Sequence, residues 1–154
     1  MADYYVDSSV LVKRHVDEAG SAWFRALADP AAGNLIITTR ISAIEVYSAL
    51  NRRLREARLD PADYNQIADD FGALCATEYE LIELTPSLIA RTRAVLERHP
   101  LRAYDAIQLA SALVAGEALA QAGLPPLTFL SADDRLLNAA QAYGLMTDNP
   151  NRYP

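Results

Sequence analysis

A chain of 154 residues has room for one domain with a sizeable buried core and no room for two ordinary ones. At 51% hydrophobic and 22% charged residues it reads as globular rather than disordered, and it contains no apolar run of about 18 residues that would argue for a membrane span. A net charge of −6 disfavours non-specific attachment to nucleic acid, and one cysteine, Cys75, rules out an internal disulfide and suits a reducing cytoplasm.

The opening "MADYYVD" lacks the basic start of a signal peptide, since the first cation is Lys13. Within it, Tyr4-Tyr5-Val6 reads as a short strand that ends on a bare carboxylate, Asp7. Short β-like runs recur at 34–39, 79–85, 127–131 and 145–147, separated by periodic helical segments over 8–28, 42–58, 61–77, 86–99, 102–122 and 133–143. Strands that alternate with helices predict an α/β fold with a mostly parallel sheet covered on both faces. Segments 42–58 and 61–77 have no strand between them and are expected to form a helical hairpin projecting from those layers. Asp60-Pro61 and Thr85-Pro86 are helix starts with a capping side chain before a first-turn proline, and Gly123 and Gly144 sit where helices end. No repeat or long linker interrupts the chain, so residues 1–154 are expected to form a single domain.

In open parallel sheets, ligands bind beyond the carboxyl ends of the strands. Four carboxylates occur at such strand-to-helix junctions: Asp7, Glu45, Asp105 and Asp133. Each also has a structural reading. Ser42-x-x-Glu45 is a capping-box pattern, so Glu45 could reach back to a backbone N–H. Ser131-x-x-Asp134 is a similar pattern; it assigns capping to Asp134 and leaves Asp133 unexplained. Asp7 could cap the helix that follows, although Ser8 or Ser9 would serve equally. Asp105 is the hardest to explain structurally, because from Tyr104 to Ala115 the only other polar residues are Gln108 and Ser111. A carboxylate on so apolar a helix requires a compensating partner.

Carboxylates gathered at one locus repel each other unless a cation neutralises them, and Mg²⁺ or Mn²⁺ is the hard ion that prefers such oxygen donors. Histidine chemistry competes poorly, because His15 and His99 lie in different segments. No G-x-S-x-G, GK[ST] or G-x-G-x-x-G pattern supports a serine hydrolase, P-loop or dinucleotide site. Thirteen of the fourteen cations are arginines, four of them in "NRRLREAR" (51–58): a solvated helix face or a guide for phosphates.

Four stretches in order, "YYVDSSVLVK", "ISAIEVYSAL", "LRAYDAIQLASAL" and "FLSADDRLLNAA", resemble the acidic motifs of PIN-domain ribonucleases, specifically toxins of bacterial VapBC-type toxin–antitoxin pairs. The resemblance runs from residue 4 to residue 140. It implies a PIN-like three-layer fold around a five-stranded parallel sheet of order 3-2-1-4-5, and an acidic pocket that holds Mg²⁺ or Mn²⁺ and hydrolyses RNA to 5′-phosphate and 3′-hydroxyl ends. Carried over residue by residue, Asp7 and Asp105 are metal ligands, Glu45 and Asp133 complete the acidic group directly or through water, and Ser9 and Ser131 orient the acids. The family's S/T-x-D spacing selects Asp133 over its neighbour Asp134. The resemblance also implies a homodimer and an antitoxin whose tail covers the pocket.

Arg52, Arg53, Arg55 and Arg58, on the continuation of the helix that carries Glu45, become candidate contacts to the RNA backbone, with Lys13 and Arg14 behind them. The apolar face formed by Tyr47, Leu50, Leu54, Tyr64, Ile67 and Phe71 either holds the antitoxin or belongs to the core. Two other classes remain open: a PIN-like binding module without nuclease activity, and a receiver-type phosphoacceptor domain with its own acidic Mg²⁺ pocket. The second would need a lysine after a late strand, whereas Lys13, the sole lysine, follows the first.

Overall fold

Strands β1 (Asp3–Val6), β2 (Leu35–Thr39), β3 (Glu80–Ile82), β4 (Thr128–Leu130) and β5 (Met146–Asp148) form one sheet in the computed structural model, which describes residues Met1–Pro154. All four neighbouring pairs are parallel, in the order β3-β2-β1-β4-β5. This is the implied 3-2-1-4-5 order, and it differs from the 2-1-3-4-5 order of flavodoxin-like and receiver domains. The chain builds outward from β1 to β3, then returns to place β4 on the other side of β1. The topological switch point therefore lies between β1 and β4, where open sheets form a crevice at their carboxyl ends.

The helices are α1 (Ser8–Leu11), α2 (Ser21–Ala28), α3 (Ser42–Arg55), α4 (Pro61–Thr77), α5 (Pro86–Arg98), α6 (Ala103–Gln121) and α7 (Asp134–Ala142). Alternation along the strands divides the core between the two sheet faces. Tyr5, Ile37 and Phe129, paired in register, pack with buried residues of α5, α6 and α7. Val6, Ile36 and Leu130 point the other way, against Val10, Leu11, Phe24, Val46, Leu50 and Phe71. Helix α6 is the central helix its composition predicts, with the run from Gln108 to Leu113 wholly buried. Helices α3 and α4 form the expected hairpin without an intervening strand. Its Leu50 and Phe71 are fully buried core, whereas Tyr47, Tyr64 and Ile67 are partly buried against them.

Asp60 and Thr85 accept from the backbone N–H of Asp63 and Leu88 ahead of their prolines, as their sequences predict. The predicted helix over 8–28 is, however, not continuous. It breaks into α1, a 3-10 turn over Val12–Arg14, a loop and then α2. The break is built by side chains: the Ser21 hydroxyl donates to Val16 O and accepts from Glu18 N, and Lys13 Nζ donates to Ala19 O. Gly20 closes the loop with φ +82°, and a Cβ there would meet Pro150 O at 2.4 Å, so only glycine fits.

Candidate active site

The site begins at the carboxyl end of β1. The Asp7 N–H donates to Leu130 O at 3.2 Å, which ties the end of β1 to β4 across the switch point. Its side chain is 4% exposed and every hydrogen bond it makes is one it accepts: Oδ1 from Ser9 Oγ at 2.6 Å and Val10 N at 3.2 Å, Oδ2 from Ser131 Oγ at 2.6 Å. The two serines are themselves oriented, since Ser9 Oγ accepts from Ala132 N and Ser131 Oγ from Asp133 N, each at 3.0 Å. Two backbone N–H groups thus set two hydroxyls, and both hydroxyls point their protons at one carboxylate. Burial still dominates and pushes Asp7 up to about 6, against the hydrogen bonds from Ser131, Ser9 and Val10, with Glu45 adding like-charge repulsion.

Glu45 is held by a second network. Gln108 on α6 is 1% exposed, and its amide is fully committed. Nε2 donates to Glu45 Oε1 at 2.7 Å and to Ser42 Oγ at 2.9 Å, while Oε1 accepts from the Tyr5 hydroxyl at 2.7 Å. Ser42 Oγ lies 2.7 Å from Thr38 Oγ1, which donates to Val6 O. Because Thr38 uses its proton on Val6, Ser42 donates to Thr38, and every proton in the chain has one place to go. The capping box predicted at Ser42 and Glu45 does not form: Ser42 is the first helical residue of α3, Ile41 precedes it without a side-chain cap, and both side chains turn inward to Gln108. Burial raises Glu45 above the usual carboxylate range, opposed by hydrogen bonds from Gln108 and Ser8 and reinforced by Asp105.

Asp105, in the first turn of α6, is half-buried and also raised: by burial first, then by Asp133, against Arg135 and Arg102. Asp133 caps α7 by accepting from Arg135 N at 2.9 Å. The capping that the Ser131-x-x-Asp134 pattern assigns to Asp134 therefore falls to Asp133. Asp134 instead accepts from Asn149 Nδ2 at 3.0 Å, because Ser131 is drawn inward to Asp7. The four acids form a path of mutual repulsion, from Asp7 to Glu45 to Asp105 to Asp133. They do not share one cavity. Glu45 lines a cavity of about 490 Å³ with Ser8, Ser9, Tyr104 and Ala132, and Asp105 lines a neighbouring one of about 390 Å³.

Of the four candidate arginines, Arg52, Arg53 and Arg58 line the Glu45 cavity and Arg55 lies outside it. Arg53 pairs with Glu18 at 3.2 Å and Arg58 with Glu56 at 2.8 Å. Lys13 also lines this cavity, with its ammonium buried and bonded to Glu18 at 3.0 Å, while Arg14 pairs with Glu78 away from it. Gln108 is the residue of the site that the sequence alone does not single out. Its one signal is a polar side chain on an otherwise apolar helix, three residues beyond Asp105.

No three His, Cys, Asp or Glu side chains converge into a ready-made chelate. The donors are carboxylates whose ionised forms are held at a cost, in a chain of like charges. That donor set fits a hard divalent cation, which binds proteins through one or two carboxylates and keeps several waters.

The PIN-domain sequence profile matches residues 4–141. The chain belongs to the PIN-domain family. It is 32% identical over 145 residues to ribonuclease VapC45 of Mycobacterium tuberculosis strain CDC 1551 / Oshkosh, an alignment that covers 91% of this PIN domain's chain and 90% of the relative. Among solved structures it superposes on the M. tuberculosis toxin VapC20, described as cleaving the sarcin-ricin loop. The TM-score is 0.61 at 18% identity, over 88% of this chain and 94% of that one. A Rickettsia felis VapBC2 complex bound to a promoter DNA fragment gives 0.61 at 14% identity, over 96% and 98%. At these identities the structural likenesses show the PIN fold alone.

Proposed function

We propose that this single PIN domain is a metal-dependent endoribonuclease and the toxin of a type II toxin–antitoxin pair. The observation that carries the reading is the placement of Asp7. It is a buried carboxylate at the switch point, oriented by Ser9 and Ser131, at the start of a path through Glu45, Asp105 and Asp133. Asp7 and Asp105 would hold Mg²⁺ or Mn²⁺, with Glu45 and Asp133 completing the acidic group directly or through water. When bound, the ion supplies Lewis acidity toward water and the phosphoryl oxygens and neutralises charge on the scissile phosphate.

The chain's own contribution is positioning. Ser9 and Ser131 fix Asp7, and Gln108 fixes Glu45 with its carboxylate in the cavity where the phosphodiester sits. Glu45, raised by burial and by Asp105, is suited to accept the proton of the attacking water at its carboxylate. Arg52, Arg53 and Arg58 on the same cavity attract the RNA backbone. The 2′-hydroxyl is not needed as nucleophile, and the products carry 5′-phosphate and 3′-hydroxyl ends. A cognate antitoxin silences the enzyme by laying a basic tail over the carboxylates, and the toxin works as a homodimer inside the cell.

The test is cleavage of RNA by the purified protein. Activity with Mg²⁺ or Mn²⁺ that stops with EDTA is expected, together with growth arrest on expression without the antitoxin. Protein that leaves RNA intact with either ion, and a host that grows normally on strong induction, would overturn the reading.

A further inference from the structure

Most of the thirteen arginines are committed to acidic partners: Arg14 to Glu78, Arg25 to Asp17, Arg40 to Glu83, Arg91 to Glu117 and Arg93 to Glu97 among them. The guanidinium groups of Arg52 and Arg102 make no ion pair and no hydrogen bond, and each lines a cavity that also contains one of the site's acids. Arg52 shares its cavity with Glu45 and Arg102 shares the other with Asp105. The second cavity adds Arg135 and Asn138. Arg135 lies 3.6 Å from Asp133 with its side chain 78% exposed, a long and solvated pairing that contributes little and is readily exchanged. Asn138 is exposed, and its side-chain amide makes no hydrogen bond within the chain. The two cavities share no lining residue, and the acids they contain, Glu45 and Asp105, are neighbours along the acidic path.

We infer that the cavity lined by Arg102, Arg135 and Asn138 is a phosphodiester subsite, which takes the single-stranded RNA backbone beyond Asp105 as the Arg52 cavity takes it beyond Glu45. This rests on the ribonuclease reading and adds to it the course of the substrate. A strand that crosses the carboxylates meets guanidinium groups on both sides, and their attraction for its flanking phosphates offsets the repulsion between the scissile phosphate and the acids. Arg102 and Arg135 are suited to the task because a guanidinium fork binds phosphate oxygens in two parallel hydrogen bonds. The Asn138 amide supplies a further neutral donor.

The test is fluorescence anisotropy of a labelled single-stranded RNA titrated with protein in EDTA over a series of salt concentrations, alongside kcat and KM for cleavage. The double variant Arg102→Ala/Arg135→Ala is expected to bind about 10-fold or more weakly at low salt. Its salt dependence should be shallower by about 0.7 in log–log slope for each phosphate that is no longer neutralised. KM should rise more than kcat falls, the lysine pair should restore most of the slope, and Arg93→Ala, on the exposed face of α5, should match wild type. If wild type cleaves RNA while the double variant keeps the wild-type slope and KM, the subsite is overturned and the ribonuclease reading stands. If wild type neither binds nor cleaves RNA, both fall together.

Discussion

Ser131 donates a 2.6 Å hydrogen bond to Asp7 across 124 residues of sequence, and that bond bridges the two strands that flank the switch point of the sheet. It joins the end of β4 to the end of β1 and aims one oxygen of the most deeply buried acid. Ser131→Ala removes the donor and leaves Asp7 Oδ2 buried without a partner. The expected cost is about 1–3 kcal/mol of stability, with a larger fractional loss in kcat than in RNA affinity. Thermal denaturation and steady-state kinetics on this variant check both.

Asp7 also makes the stability of the metal-free protein depend on pH. Its carboxyl is raised from an ordinary 3.8 to about 6, so the folded state holds the proton more tightly than the unfolded chain. Its stabilising contribution is complete below about pH 4, is lost as pH rises through 6, and amounts to on the order of 3 kcal/mol. Glu45 and Asp105 are raised as well and act in the same direction. In EDTA, Tm should fall between pH 4 and pH 7. At pH 7.5 Asp7→Asn should melt higher than wild type, and Mn²⁺ should raise Tm more at pH 7.5 than at pH 5. Differential scanning fluorimetry across this range reads all three trends.

Gln108→Leu separates positioning from chemistry. The substitution strips Glu45, Ser42 and the Tyr5 hydroxyl of one shared partner. A loss of about 1–3 kcal/mol is expected. Because the Gln108 amide favours the ionised form of Glu45, its removal raises Glu45 further and moves the acid limb of the pH–rate profile to higher pH. An unmoved limb in a folded variant would show that Glu45 does not govern that ionisation.

The arginine cluster divides by position. Arg52 lines the Glu45 cavity without forming an ion pair, whereas Arg55, three residues on, lies outside it. Arg52→Ala should weaken RNA binding and lower the salt slope by about 0.7, and Arg55→Ala should leave both unchanged. Filter binding at several salt concentrations distinguishes them.

Much of the fold was legible from alternation of strand and helix, from Pro and Gly at helix ends, and from the strand-end carboxylates. What was not legible depended on long-range competition for side chains. Ser42 and Ser131 each head a local capping pattern, and each is drawn instead to a partner 66 or 124 residues away, Gln108 and Asp7. Asp133 then takes the cap that the pattern assigns to Asp134. Likewise the periodicity of 8–28 reads as one helix, since nothing local reveals that Pro150 will press against Gly20 and that Lys13 will tie down the loop between. The four acids were visible in the sequence, but the placement of Glu45 and Asp105 in separate cavities was not.

The most direct test of the central claim is the rate of RNA cleavage by Asp7→Asn and Asp105→Asn beside wild type, in Mn²⁺ and in EDTA, with the product ends mapped. Both substitutions are near-isosteric, and Asn keeps an oxygen that can cap α1 at position 7, so circular dichroism should show the fold intact. The account predicts that wild type leaves 5′-phosphate ends only with the metal, and that each variant loses at least about 100-fold in rate, roughly 2.7 kcal/mol of transition-state stabilisation. Cleavage that persists in EDTA, or that survives both substitutions at near wild-type rate, would contradict it.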